Sequence, residues 1–187
     1  MILIKPEVKH FESYRDGLIR MSAMPDESFY KSEIEDLDQS AKDIPAFISK
    51  QDDPDGKAGD IKLPNGQFVP RLPGFHRWMW DGEVCGTINF RWNKGSTELP
   101  PHCLGHIGYA VFPWKRGLGY ATEALRLMLI EISPLKMPFV EVTTNIDNLA
   151  SQKVILNNGG VFFEQFTKTD ISGGGEGTRY RIQLQNS

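Results

Sequence analysis

The stretch that most constrains this 187-residue chain is Gly108–Ala121, GYAVFPWKRGLGYA. Apolar Tyr109 and Val111 alternate with small residues and the run stops at Pro113. Two cations follow, Lys115 and Arg116, then Gly117-Leu118-Gly119, and a helical pattern begins at once. From Ala121 the apolar residues Ala124, Leu125, Met128, Leu129 and Ile132 recur at helical spacing up to Pro134, which gives the helix one apolar face. A strand that turns directly into such a helix belongs to a layered α/β domain. The turn also has a chemistry. Gly117 and Gly119 lack a Cβ and can take unusual backbone angles. The amides of Gly117, Leu118, Gly119, Tyr120, Ala121 and Thr122 then sit at a helix N-terminus, where exposed N–H groups and the helix dipole favour phosphate oxygens. Arg116 can pair with such a phosphate and Thr122 can add a hydroxyl.

The rest of the chain is consistent with a mixed sheet. Ile2–Lys5 reads as a short strand, and Phe11, Tyr14, Leu18 and Met21 as a helix ending before Pro25. A second helix is expected over Glu33–Ser49, broken near Pro45. Residues 51–74, rich in Asp, Gly and Pro, read as a loop. Phe75–Trp80 and Glu83–Trp92 flank Asp81-Gly82, a hairpin signal, and the even spacing of Trp78, Trp80 and Trp92 predicts a shared face. Strands are expected at His106–Phe112, Phe139–Thr144, Val161–Phe166 and Thr178–Leu184, with a loop at 172–177. Asn148 is placed to cap a helix that ends at Gly159-Gly160. The expectation is one α/β domain over residues 1–187.

Composition narrows the function classes. No apolar run approaches the roughly 20 residues of a membrane span, and the N-terminus lacks the apolar core of a signal peptide. Cys85 and Cys103 suit neither a disulfide scaffold nor a metal cluster, so a cytoplasmic protein without metal is expected. No basic stripe with interleaved aromatics points to nucleic acid. The net charge of -3 hides an asymmetry: residues 26–60 hold eleven acids and four lysines. A solvated surface explains this, and so does attraction of a cationic substrate. A dinucleotide fingerprint fails because its third glycine position is Thr122.

The string His106–Ala124, HIGYAVFPWKRGLGYATEA, with Arg116, Gly119 and Ala121 spaced as they are, resembles the acetyl-CoA signature of the GNAT N-acetyltransferase superfamily. Asn148, Ser151 and Gly159-Gly160 fall at similar places, and the order of elements is similar from Ile2 to Leu184. The resemblance implies a mixed, splayed sheet of about seven strands flanked by about four helices, and possession of acetyl-CoA as donor. It implies direct attack by a primary amine, on a small molecule or a peptide, in a ternary complex; homodimers are common in the family. Val111 and its neighbours would hold the pantetheine by main-chain bonds, while Asn148 and Ser151 would meet the cofactor, although helix capping alone accounts for Asn148.

A general base is needed for a protonated amine. His106, an imidazole that titrates near neutrality when unperturbed, stands where relatives often carry glutamate, and its alternative is a structural histidine. Glu141 is the second candidate, with an ion-paired carboxylate as its alternative. The tyrosine that relatives carry seven residues after the helix-starting Asn is Ile155 here. A CoA-binding protein without catalysis is therefore the rival reading.

Overall fold

The computed structural model describes residues 1–24, 41–169 and 174–184. Strand β1 (Ile2–Ile4) leads into helix α1 (Phe11–Ser22). A short helix α2 (Ile44–Ser49) is followed by β2 (Asp52–Asp53), β3 (Ile61–Lys62) and β4 (Phe68–Val69). Then come β5 (Gly74–Trp80), β6 (Val84–Arg91), β7 (Ile107–Val111), α3 (Tyr120–Ile132), β8 (Phe139–Asn145), α4 (Leu149–Asn157), β9 (Val161–Thr167) and β10 (Glu176–Gln183). The sheet runs β1-β5-β6-β7-β8-β10-β9, with β2 also on β5. All its pairs are antiparallel except β7–β8, which is parallel.

The periodic apolar faces decide the layers. Ala124, Leu125, Met128 and Ile132 of α3 are fully buried, as is Ile155 of α4, against Ile88, Phe90, Ile107 and Val142 on one sheet face. Each large side chain of that kind contributes roughly 1.5–3 kcal/mol. On the opposite face α1 packs Phe11, Leu18 and Met21 onto Trp78 and Val84. Ile107 of β7 thus lies in the α3-side core and Phe112, at the end of the segment, in the α1-side core.

Three expectations need correction. The second helix holds over its described end: residues 41–43 are not helical and Pro45 stands in the first turn of α2, where Asp43 Oδ1 accepts the Ala46 N–H at 3.0 Å, because a proline lacks only a donor that the first turn does not use. Residues 33–40 of the expected helix lie outside the described residues. Segment 51–74 is not featureless: β2 pairs with β5, and β3 pairs with β4 around a turn closed by Leu63 N–H to Gln67 O at 2.8 Å. Of the expected loop at 172–177, residues 172–173 lie outside the described residues and Glu176 already begins β10. Finally, Trp78 and Trp92 lie on opposite faces. Trp78 pairs with Thr87, so even residues of β5 share a face with odd residues of β6. Trp92 joins the α3 side and Trp78 and Trp80 the α1 side.

Candidate functional site

The sheet opens between β7 and β8. Only Ile107 and Val142 pair there, with His106 N–H donating to Glu141 O at 2.7 Å just before them. Beyond this point the strands separate. Phe112 N–H donates to Cys85 O at 2.9 Å, a hydrogen-bonded antiparallel pair. By the alternation of such pairs, the main-chain groups of Gly108 and Ala110 point at β6. Those of Tyr109 and Val111 point into the opening. Behind β7 the packing is close: a Cβ on Gly86 would lie 2.3 Å from Ala110 O, so only glycine lets β6 hold β7 there.

At the mouth of the opening stands the glycine turn. Gly117 and Gly119 have φ of 79° and 77°, and a Cβ on either would meet nothing within 4 Å. The requirement for glycine is conformational, not steric. After Arg116, the first backbone amide with a carbonyl partner among the described residues is that of Glu123, which donates to Gly119 O at 3.1 Å. The amides of Gly117, Leu118, Gly119, Tyr120, Ala121 and Thr122 thus have no carbonyl partner among the described residues and stand at the N-terminus of a 13-residue helix. Leu118 itself is exposed and makes no core contact.

The turn is held from outside by a residue the sequence presented only as part of a hairpin signal. Asp81 accepts from Lys115 Nζ at 2.8 Å and from the Tyr120 hydroxyl at 2.8 Å. Burial opposes ionisation of Asp81, but these two donors hold its carboxyl below the usual range. Lys115 also reaches Glu83 at 2.9 Å, and these bonds push its ammonium pKa upward. Arg116 Nε donates to Val111 O at 3.2 Å, which ties the exposed arginine to the end of β7. On the other side, Asn158 Nδ2 donates to Thr122 O at 3.1 Å, joining the end of α4 to the start of α3.

Helix α4 begins across the opening. Asn148 caps it, Oδ1 accepting the Ser151 N–H at 3.0 Å. The Ser151 hydroxyl is 2.7 Å from that of Tyr109, which also lies 3.3 Å from Ser151 O. This Tyr109–Ser151 link spans β7 and α4, and burial pushes the phenol pKa up, so it stays protonated. Ile155, by contrast, is fully buried in the core and does not line the opening.

The two base candidates meet, but each is engaged. His106 is fully buried, and its Nδ1 accepts the Glu141 N–H at 2.9 Å. That bond places the proton of the neutral ring on Nε2, which is buried near the Thr97 backbone without a bond of good geometry. Burial pushes the imidazole down to about 4; the Glu141 charge opposes this and Arg91 adds to it. Glu141 Oε1 accepts from Arg181 Nε at 2.9 Å, and Oε2 lies 3.5 Å from Arg179 Nε. The geometry thus matches the structural alternative for His106 and the ion-paired alternative for Glu141. Among the described residues no cluster of His, Cys, Asp and Glu could hold a metal ion, and no helix is long and apolar enough to cross a membrane.

A parallel strand pair that splays beside an unpaired amide turn is the architecture of an acetyltransferase domain. The chain belongs to the GNAT acetyltransferase family: the model for the acetyltransferase (GNAT) domain matches residues 40–161. No curated protein sequence matches the chain. Among solved structures, the fold is similar to that of RimL, a ribosomal L7/L12 alpha-N-protein acetyltransferase in complex with coenzyme A (TM-score 0.63, 12% identity, 99% of this chain and 94% of that one). It is also similar to the ribosomal-protein-S5-alanine acetyltransferase from Vibrio fischeri (0.61, 13%, 98% and 93%). A third similar structure is the microcin C7 self-immunity acetyltransferase MccE in complex with acetyl-CoA and AMP (0.60, 14%, 97% and 91%).

Proposed function

We propose that this protein binds acetyl-CoA along β7 and transfers the acetyl group to a primary amine. The observation that carries the reading is the run of unpaired amides from Gly117 to Thr122 beside the opening between β7 and β8. Six donors without carbonyl partners among the described residues, at a helix N-terminus, suit a pyrophosphate, and Arg116 supplies a cation to it. The Tyr109 and Val111 main-chain groups suit the amides of pantetheine. One of their N–H groups would stabilise negative charge developing on the thioester oxygen. Asn148 and Ser151 shape the wall on the α4 side. The donor supplies an acyl group already activated as a thioester.

On the other side of β7, Asn89 Oδ1 accepts the Gly108 N–H at 3.1 Å, and the amine would approach past this side chain. With His106 and Glu141 engaged, no side-chain base is assigned, and the amine loses its proton to solvent. The Tyr109 hydroxyl, protonated and linked to Ser151, is the group assigned to return a proton to the leaving thiolate. This gives the chain an acid that does not depend on position 155.

The test is release of free thiol from acetyl-CoA with a panel of amines. Release that depends on amine and falls at least tenfold in Tyr109→Phe supports the reading. Binding of acetyl-CoA without release by any amine supports the non-catalytic rival, for which the engagement of His106 and Glu141 is the specific argument.

A further inference from the structure

A cavity of about 190 Å³ lies on the amine side of β7. His76, Asn89 and Arg91 form its sheet wall, and Lys50, Asp53 and Arg71 close it from the segment before β5. It adjoins the proposed reaction centre. A Cβ on Gly108 would lie 3.1 Å from Asn89 Oδ1 and 3.7 Å from Arg91 Nη2. The Gly108 face of β7 therefore abuts this wall, with Asn89 Oδ1 bonded to the Gly108 N–H at 3.1 Å.

The wall carries more cations than carboxylates. Arg91 uses Nε on Gly105 O at 2.9 Å, and Arg71 uses Nε on Gly59 O at 3.4 Å. Among the described residues no carboxylate lies within ion-pair distance of Arg71, Arg91 or Lys50. The one acid in the wall, Asp53, accepts from the Lys57 and Ala58 amides at 2.8 and 2.9 Å. His76 Nδ1 is buried and has no partner among the described residues. Burial, then the charges of Arg91 and Arg71, push this imidazole down to about 4, so it is neutral and adds no charge at pH 7.

Of the described acids of residues 26–60, only Asp53 lines this cavity. Asp43 caps α2, Asp52 pairs with Lys5 and Arg77, and Asp55 pairs with Lys57 and Lys94. Arginines with free guanidinium edges in a small recess call for an oxyanion, which their planar fork can hold by two bonds.

We infer that this cavity seats an oxyanion, carboxylate or phosphate, carried by the acceptor itself, with Arg91 and Arg71 as the gripping residues and the amine directed at Gly108. The acceptor is then a small amine with its own anionic group, such as an amino acid or an amine bearing a phosphate monoester. A polyamine does not fit this charge. This rests on the acetyl-transfer reading above.

Two measurements separate the two readings. In the first, thiol release from acetyl-CoA is compared for amino acids against their carboxamides, and for amine phosphate monoesters against the corresponding amino alcohols. The anionic member of at least one pair should have kcat/KM about 10- to 100-fold higher, the range of a charge-assisted bond. Arg91→Gln should bring the rates of the two members of the pair together, and Arg71→Gln does the same if Arg91→Gln fails to fold. Equal rates within both pairs, or preference for a diamine, overturn the anion site and leave acetyl transfer standing.

The second measurement needs no acetyl-CoA. Acetate and inorganic phosphate are titrated separately into the free protein while the His76 ring protons are followed by NMR. Saturable shifts with one of them, lost in Arg91→Gln, support the site and identify the anion class. No saturable shift with either overturns it, whatever the outcome of the turnover assay.

Discussion

Lowering the pH from 7.5 to 5 should destabilise the protein through His106 before its carboxylates matter. The imidazole is fully buried and its Nδ1 takes the Glu141 N–H, so protonation breaks that bond and buries a charge. Its folded pKa is about 4 against 6.5 when exposed. Between these values the unfolded chain binds the extra proton. Stability is therefore complete above pH 6.5 and falls as pH drops, by up to ~1.4 kcal/mol per pH unit. Over the whole window His106 alone removes on the order of 3 kcal/mol, a large part of the roughly 5–15 kcal/mol typical of a domain. His76, also pushed down to about 4, acts in the same direction. Asp52, Asp53 and Asp81 have lowered values and titrate below this range. Urea midpoints measured between pH 6.5 and 5.5 in wild type and in His106→Gln isolate the effect. The variant keeps an acceptor for the Glu141 amide but does not titrate, so its stability should depend less on pH. An identical slope in both proteins, or a His106 ring that titrates near 6.5 in the folded protein, refutes the buried neutral state and returns the base role to His106.

Further outcomes follow from the turn and the core. Arg116→Glu sets a negative charge against the pyrophosphate site and should weaken acetyl-CoA binding at least 100-fold by calorimetry, with an unchanged circular dichroism spectrum. Asp81→Ala removes the acceptor of both Lys115 and Tyr120; two lost bonds of ~0.5–1.5 kcal/mol each predict roughly tenfold weaker binding through a looser turn, by calorimetry. Ile155→Tyr should not install a proton donor. Ile155 is fully buried, and a Cβ on Gly160 would already lie 2.4 Å from its Cγ2, so overpacking should cost ~1–3 kcal/mol in thermal or urea unfolding without raising turnover.

Local signals carried the parts of the fold that local rules govern. The α3 face, the Asn148 cap and the strand–glycine–helix junction are set by spacing within a few residues, and each stands where its pattern places it. What failed depends on pairing. The faces of Trp78 and Trp92 follow from the odd pairing sum of the β5–β6 hairpin, which even spacing along the chain does not reveal. Nothing about His106 in sequence announces that Glu141 approaches it from a strand 35 residues away. The cationic wall was equally hidden: Arg71 and Arg91 are 20 residues apart in sequence, and only the fold brings them to one cavity. Asp81 was visible as a turn residue, and only the fold brings Lys115 and Tyr120 to it.

The central claim is that the glycine turn after β7 is a cofactor cradle. Calorimetric titration of acetyl-CoA into wild type and Gly117→Val tests it most directly, since a side chain at φ 79° strains the turn but meets no neighbour within 4 Å. The prediction is one site per chain in the wild type and at least tenfold weaker binding in a variant that remains folded. Absence of binding by the wild type, or equal affinity in the two, would contradict it.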